Sequence, residues 1–157
     1  MTNRNSFRDS RRVGGFTLVE LMITVAILAI IVAVAVPAYT QQIRKSRRTD
    51  ARNALLDIAG REERFLSIQG TYGPNPADVG YGGAWPQVIT NGYYSVNVQV
   101  PDPNAANPAN PSFIITATAV GAQAGDTACA TFSVNQIGQQ LAFTSAPAAN
   151  TATCWGI

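Results

Sequence analysis

Residues Leu21 to Val36 run for sixteen positions without a charge. Counted from Phe16 to Tyr39 the apolar segment is 24 residues long, and a helix crossing a bilayer needs about 20. A segment of this kind is apolar all round, so as a helix it must sit in lipid or among other helices. Bases flank it on both sides: Arg4, Arg8, Arg11 and Arg12 before it, and Arg44, Lys45, Arg47 and Arg48 after it. The positive-inside rule is therefore nearly balanced and does not set an orientation.

A secretory signal carries its small-residue cleavage site after the apolar core. Here the small pair, Gly14-Gly15, comes before it. A cut there removes the basic leader and keeps the apolar segment; the alternative is an uncleaved single-span anchor. Glu20 is the unusual residue. An ionised carboxylate at the centre of a bilayer costs on the order of 2.5 kcal/mol or more, and no Lys or Arg lies between Glu20 and Arg44. A cut after Gly15 gives Phe16 a free amino group, a cation four residues before Glu20 and on the same helix face. It could pair within the chain or across to a neighbouring chain.

The stretch GGFTLVELMITVAILAIIVAVAVPAY resembles the N-terminus of type IV pilins. In that family a Gly and an aromatic residue precede Thr-Leu-Val/Ile-Glu, and an apolar helix follows with a Pro near its far end. The resemblance implies that Gly15 is the last leader residue, required by the prepilin peptidase. It implies that Phe16 is the first mature residue, N-methylated by that enzyme. It also implies that Glu20 pairs with the N-terminal amine of a neighbouring subunit during assembly.

Pro37 should remove one hydrogen bond and kink or loosen the helix. Continuation is expected nonetheless, because Ala51, Leu55, Ile58, Phe65 and Leu66, with Ala54 and Ala59, form a stripe at helical spacing. The helix should run from about Thr17 to about Ser67, apolar all round in its first half and striped in its second. The run RKSRRTDAR reads as a basic belt at the lipid headgroup level, with Asp50, Asp57, Glu62 and Glu63 as helix-spaced partners. The competing reading is a nucleic-acid patch, but no aromatic residues interleave it.

Residues 70–92 hold six glycines and three prolines and read as a loop, with Tyr72, Tyr81 and Trp85 pinning it to the domain. Alternation in YYSVNVQV, and the runs SFIITATAV, CATFSVN and QLAFT, predict about four strands over 93–144 as an antiparallel meander. The expected fold class is α+β: one long N-terminal helix packed on this sheet. The expected organisation is a leader over 1–15, a membrane and polymerisation helix over 16–41, and an exported globular domain over 42–157. Two late cysteines in a membrane-targeted chain suit one disulfide, Cys129 to Cys154, in an oxidising compartment; two separate buried thiols are the alternative. A disulfide places the C-terminal part outside the cytosol and the N-terminus inside.

The chain has no His, no paired carboxylates and no phosphate loop, which argues against an enzyme. No metal or other cofactor is expected, and Asp78, Asp102 and Asp126 lack calcium-loop spacing. These readings point to a structural subunit of a type IV pilus. It would be held in the inner membrane, then assembled with other pilins into a surface filament for adhesion, twitching motility or DNA uptake. Its partners would be membrane lipid, the prepilin peptidase, the assembly platform and other subunits. A pseudopilin of a type II secretion system is the alternative; a minor pilin acting as a DNA receptor is set lower, since no base follows Arg64.

Overall fold

The computed structural model describes residues 15–102, 107 and 110–156. Most of the leader expected over 1–15 lies outside them. The chain divides into two compact units, Met1–Thr40 and Gln41–Ile157. Helix α1, Leu18–Gln69, supplies most of the described part of the first unit and the opening of the second, with Pro37 inside it. Thr40 Oγ1 donates to the Pro37 carbonyl at 2.9 Å. In the first unit every described residue is exposed, so this stretch has no core of its own. One-sided coverage begins at Ala51: Ala51, Leu55, Ile58 and Glu62 are buried at spacings of four, three and four, which is one face of a helix.

The second unit adds a five-stranded antiparallel sheet in chain order: β1 Gln87–Ile89, β2 Tyr94–Gln99, β3 Ile114–Ala119, β4 Thr131–Asn135 and β5 Gln140–Phe143. The meander expected from sequence is present with one strand more. β1 lies in the segment read as a loop; its three residues, between Pro86 and Thr90, are too short to show a period of two. The register sets Val96 beside Ala117, Ala117 beside Phe132 and Phe132 beside Ala142. This row, with Tyr94, Val98, Ile115 and Val134, is the buried face of the sheet and forms one core with Ala51, Leu55 and Ile58.

The tail closes the other end of the sheet. A π-helical turn, Ala152–Gly156, buries Cys154 and Trp155. Trp155 packs edge-on against Phe132 at 5.9 Å, and its indole N–H donates to the Leu141 carbonyl at 2.9 Å. The disulfide Cys129–Cys154 joins this turn to the approach of β4 across 25 residues. Closing a loop of that length stabilises a domain by about 3 kcal/mol in the chain-entropy account. For a core built from half a helix and five short strands, that is a sizeable share of the whole.

Candidate functional site

Two regions carry the polar chemistry. The first is the start of α1. Thr17 precedes the helix, and its Oγ1 accepts the Glu20 backbone N–H at 3.2 Å. Thr17-Leu18-Val19-Glu20 therefore has the spacing of a capping box, in which a Thr cap is followed by Glu three positions on. Glu20 is the acid of the first turn, where the exposed N–H groups of the helix favour a negative charge. That local role is an addition to the sequence reading, and the Thr-x-x-Glu spacing is the signal that carries it. Phe16 stands just before, 80% exposed. Gly15 lies at the edge of the described residues, and a Cβ there would meet nothing within 4 Å.

The second region is the basic face of α1 from Arg44 to Arg52. Three of its arginines, Arg47, Arg48 and Arg52, dock on their own domain. Arg48 makes a two-pronged ion pair with Asp126: Nε donates to Oδ2 and Nη2 to Oδ1, both at 2.6 Å. Their side chains are 15% and 3% exposed. Those bonds hold the Arg48 guanidinium above its ordinary pKa. Gln123 is fully buried beside the pair and donates to Asp126 Oδ2 at 2.9 Å and to the Tyr94 hydroxyl at 3.2 Å. Burial pushes the Tyr94 phenol up to about 12, so it stays neutral as an acceptor. Arg47 lies over the Tyr93 ring at 3.8 Å, a cation–π contact. Arg52 donates through Nη1 to the Trp155 carbonyl at 2.6 Å and through Nη2 to Thr49 at 2.8 Å.

The acids expected to partner this run behave differently from one another. Asp57 pairs with Arg61 at 2.8 Å on an exposed face, an arrangement worth little on its own. Glu62 is no surface partner: it is fully buried. Its Oε2 accepts the Gly73 backbone N–H at 2.9 Å, while Oε1 has no partner among the described residues. Burial is the main cause that raises its pKa. Position 62 continues the stripe 51, 55, 58, so the spacing signals its burial, against the polarity of the residue. Gly73 is obligatory at this anchor, because a Cβ there would come 2.5 Å from the Asp78 Cβ. Among the described residues no His, Cys, Asp and Glu side chains converge on a metal site.

With this geometry in place, comparison with known proteins gives the class. The prokaryotic N-terminal methylation motif matches residues 10–36. The family described as type IV minor pilin ComP, DNA uptake sequence receptor, matches residues 37–133, more than half of the chain. The chain belongs to this ComP family of type IV pilins. It is also similar to fimbrial protein EcpC of Eikenella corrodens, 36% identical over 86 residues, 55% of this chain and 53% of that one. The type IV major pilin protein PilA of Myxococcus xanthus is 32% identical over 74 residues, 47% of this chain and 34% of that one. The chain thus spans about half the length of the first relative and about a third of the second. A solved type IV pilin from Shewanella oneidensis, 25% identical, covers 62% of this chain and 89% of its own at a TM-score of 0.42, too low to bear on the fold.

The Glu62 geometry makes a prediction about pH. A buried carboxyl with a raised pKa is protonated more readily folded than unfolded. The folded state then binds the extra proton, and stability falls as pH rises from the ordinary carboxyl range through the raised value. Glu62→Gln keeps an acceptor for the Gly73 N–H and removes the charge. It should raise the urea midpoint at pH 7 and leave it nearly unchanged at pH 4. Equal midpoint changes at both pH values would show that burial of the charge is not what Glu62 costs.

Proposed function

We propose that this chain is a minor subunit of a type IV pilus. It is cut after Gly15, methylated at Phe16 and assembled through the first half of α1. The observation that carries this reading is the exposed apolar stretch of α1, whose only charge is Glu20 in its first turn. A lipid bilayer and a bundle of neighbouring α1 helices are both apolar solvents for that surface, so the same segment serves before and after assembly. The new amine at Phe16 supplies the cation that Glu20 lacks. The prepilin peptidase and the inner-membrane assembly platform are the partners this requires, with the N-terminus on the cytoplasmic side. At the helix start the Glu20 backbone N–H is already satisfied by Thr17 Oγ1, and a carboxylate in that first turn is favoured by the exposed N–H groups of the helix. Replacing Gly15 by a bulky residue should leave full-length precursor on an immunoblot. Glu20→Ala should be cleaved normally yet yield few or no filaments containing this chain by affinity-grid electron microscopy. Normal incorporation of Glu20→Ala would count against amine pairing.

A second reading, receptor for DNA, is favoured by the family match over residues 37–133. It brings forward an alternative that the charge pattern alone had set low. The unit beyond Thr40 has seven bases (Arg44, Lys45, Arg47, Arg48, Arg52, Arg61 and Arg64) and seven acids (Asp50, Asp57, Glu62, Glu63, Asp78, Asp102 and Asp126). Net charge therefore gives no general attraction, and contact with phosphates has to come from a local cluster. Arg48 and Arg61 are committed to Asp126 and Asp57, Arg47 to the Tyr93 ring and Arg52 to the Trp155 carbonyl; of the remaining Arg44, Lys45 and Arg64, the adjacent pair Arg44 and Lys45 forms the local cluster. In filter binding with the detergent-solubilised chain and duplex DNA, Arg44→Gln and Lys45→Gln should each weaken binding. Each should also lower the slope of log affinity against log salt by about 0.9 per lost phosphate contact. Binding that is undetectable, or unaltered by both changes, would remove this reading and leave the subunit role standing.

A further inference from the structure

Between the second half of α1 and the tail turn Ala152–Gly156 lies a groove of about 210 Å³. Lys45, Arg48, Thr49 and Arg52 line it from the helix, at the i, i+3, i+4 and i+7 positions of one face. Thr153 and Gly156 line it from the tail, and no carboxylate does. Lys45, Thr49 and Thr153 are exposed, and Arg48 and Arg52 are partly exposed, so the groove is open to a partner from outside.

Its charges do not balance. Arg48 is matched by Asp126. Arg52 is bonded to neutral oxygens, those of the Trp155 carbonyl and the Thr49 hydroxyl, and Lys45 has no ion pair among the described residues. Two positive charges therefore face one recess without a counter-charge, and a partly desolvated cation is stabilised by an anion. The recess is also held in shape. Thr49 Oγ1 accepts from Arg52 and donates to the Lys45 carbonyl at 3.3 Å. The tail wall is pinned by the Cys129–Cys154 disulfide and by the burial of Trp155. Thr153 adds an exposed hydroxyl that can donate.

Size and charge narrow the occupant. The groove is smaller than the roughly 300–1,000 Å³ of small-molecule sites, so it takes one charged group and leaves the rest of its bearer outside. Two unmatched cations are few for DNA, where about 6–10 phosphate contacts commonly carry the affinity. They suffice for a membrane, where each Lys or Arg near an anionic surface adds its own attraction. Lys45 follows Tyr39, the end of the apolar run, by six residues of the same helix. We propose that this groove seats the headgroup phosphate of an anionic phospholipid, held by the Lys45 ammonium, the Arg52 guanidinium and the Thr153 hydroxyl. The inference rests on the reading that the apolar run enters a bilayer, and on neither the filament nor the DNA reading.

The test is native mass spectrometry of the full chain released from detergent micelles, with phosphatidylglycerol and phosphatidylcholine added in equal amounts. Phosphatidylglycerol should be retained, and phosphatidylcholine much less, because its choline cation would face Lys45 and Arg52. Lys45→Gln should weaken retention about fivefold, the scale of one cation at a lipid surface. Thr153→Glu places a carboxylate in the groove at an exposed position and should abolish retention. Arg52 is left in place, since it also holds the tail. Arg64→Gln removes an exposed base outside the groove and should change nothing. Equal retention of the two lipids, full retention by either groove variant, or an equal loss in Arg64→Gln would each overturn the proposal. So would displacement of the lipid by inorganic phosphate at equal concentration, which would make this a free-phosphate site. Flotation of the chain with phosphatidylcholine vesicles tests the bilayer reading separately, because it depends on the apolar run and not on the groove.

Discussion

The contact on which the rest of the globular unit depends is the short stripe Ala51, Leu55 and Ile58 on α1. These three fully buried residues are what the inner faces of β2, β3, β4 and β5 share. A sheet of five short strands cannot bury one face alone, and this stripe is the surface that covers it. The specific polar contacts then fix its position. Upstream, Arg48 reaches the segment between β3 and β4 through Asp126. Nearby, Arg52 reaches the tail through the Trp155 carbonyl. Downstream, Glu62 holds the start of the 70–92 segment through Gly73. Each clamp takes a polar residue from the helix to a different part of the domain, so the register of helix against sheet is specified as well as stabilised.

The same geometry explains why the basic run is a poor guide when read as net charge. Arg47, Arg48 and Arg52 each have an intramolecular partner. Burying a carboxylate as far as Asp126 is favourable only if its charge is matched and its oxygens are bonded, and Arg48 with Gln123 supplies both conditions. The disulfide acts on the same assembly from behind. Cys129 follows Asp126 by three residues and Cys154 precedes Trp155 by one, so the bond links the two segments that receive Arg48 and Arg52.

Much of this was legible in the sequence because it rests on periodicity. The sixteen uncharged residues, the stripe from Ala51 onward and the alternation in Tyr94, Val96 and Val98 each declare their environment through spacing alone. The long helix and the meander follow from them. What escaped was set by tertiary contacts. β1 has three residues and gains strand character only by pairing with β2. Glu62 occupies a core position that polarity argues against, and only the Gly73 N–H makes its burial tolerable. Arg48 and Asp126 are 78 residues apart, and no local pattern joins them. The helix start is the reverse case: Thr-x-x-Glu declares the Thr17 cap by local spacing alone.

The central proposal is that this chain leaves the membrane as a filament subunit with a newly made N-terminal amine. The direct measurement is mass spectrometry of peptides from sheared, washed surface filaments. The account predicts that this chain is present at low abundance relative to a major pilin, and that its first residue is Phe16 carrying one N-methyl group. Its absence from filaments of cells that express it, or an N-terminus that still carries residues 1–15, would contradict the account.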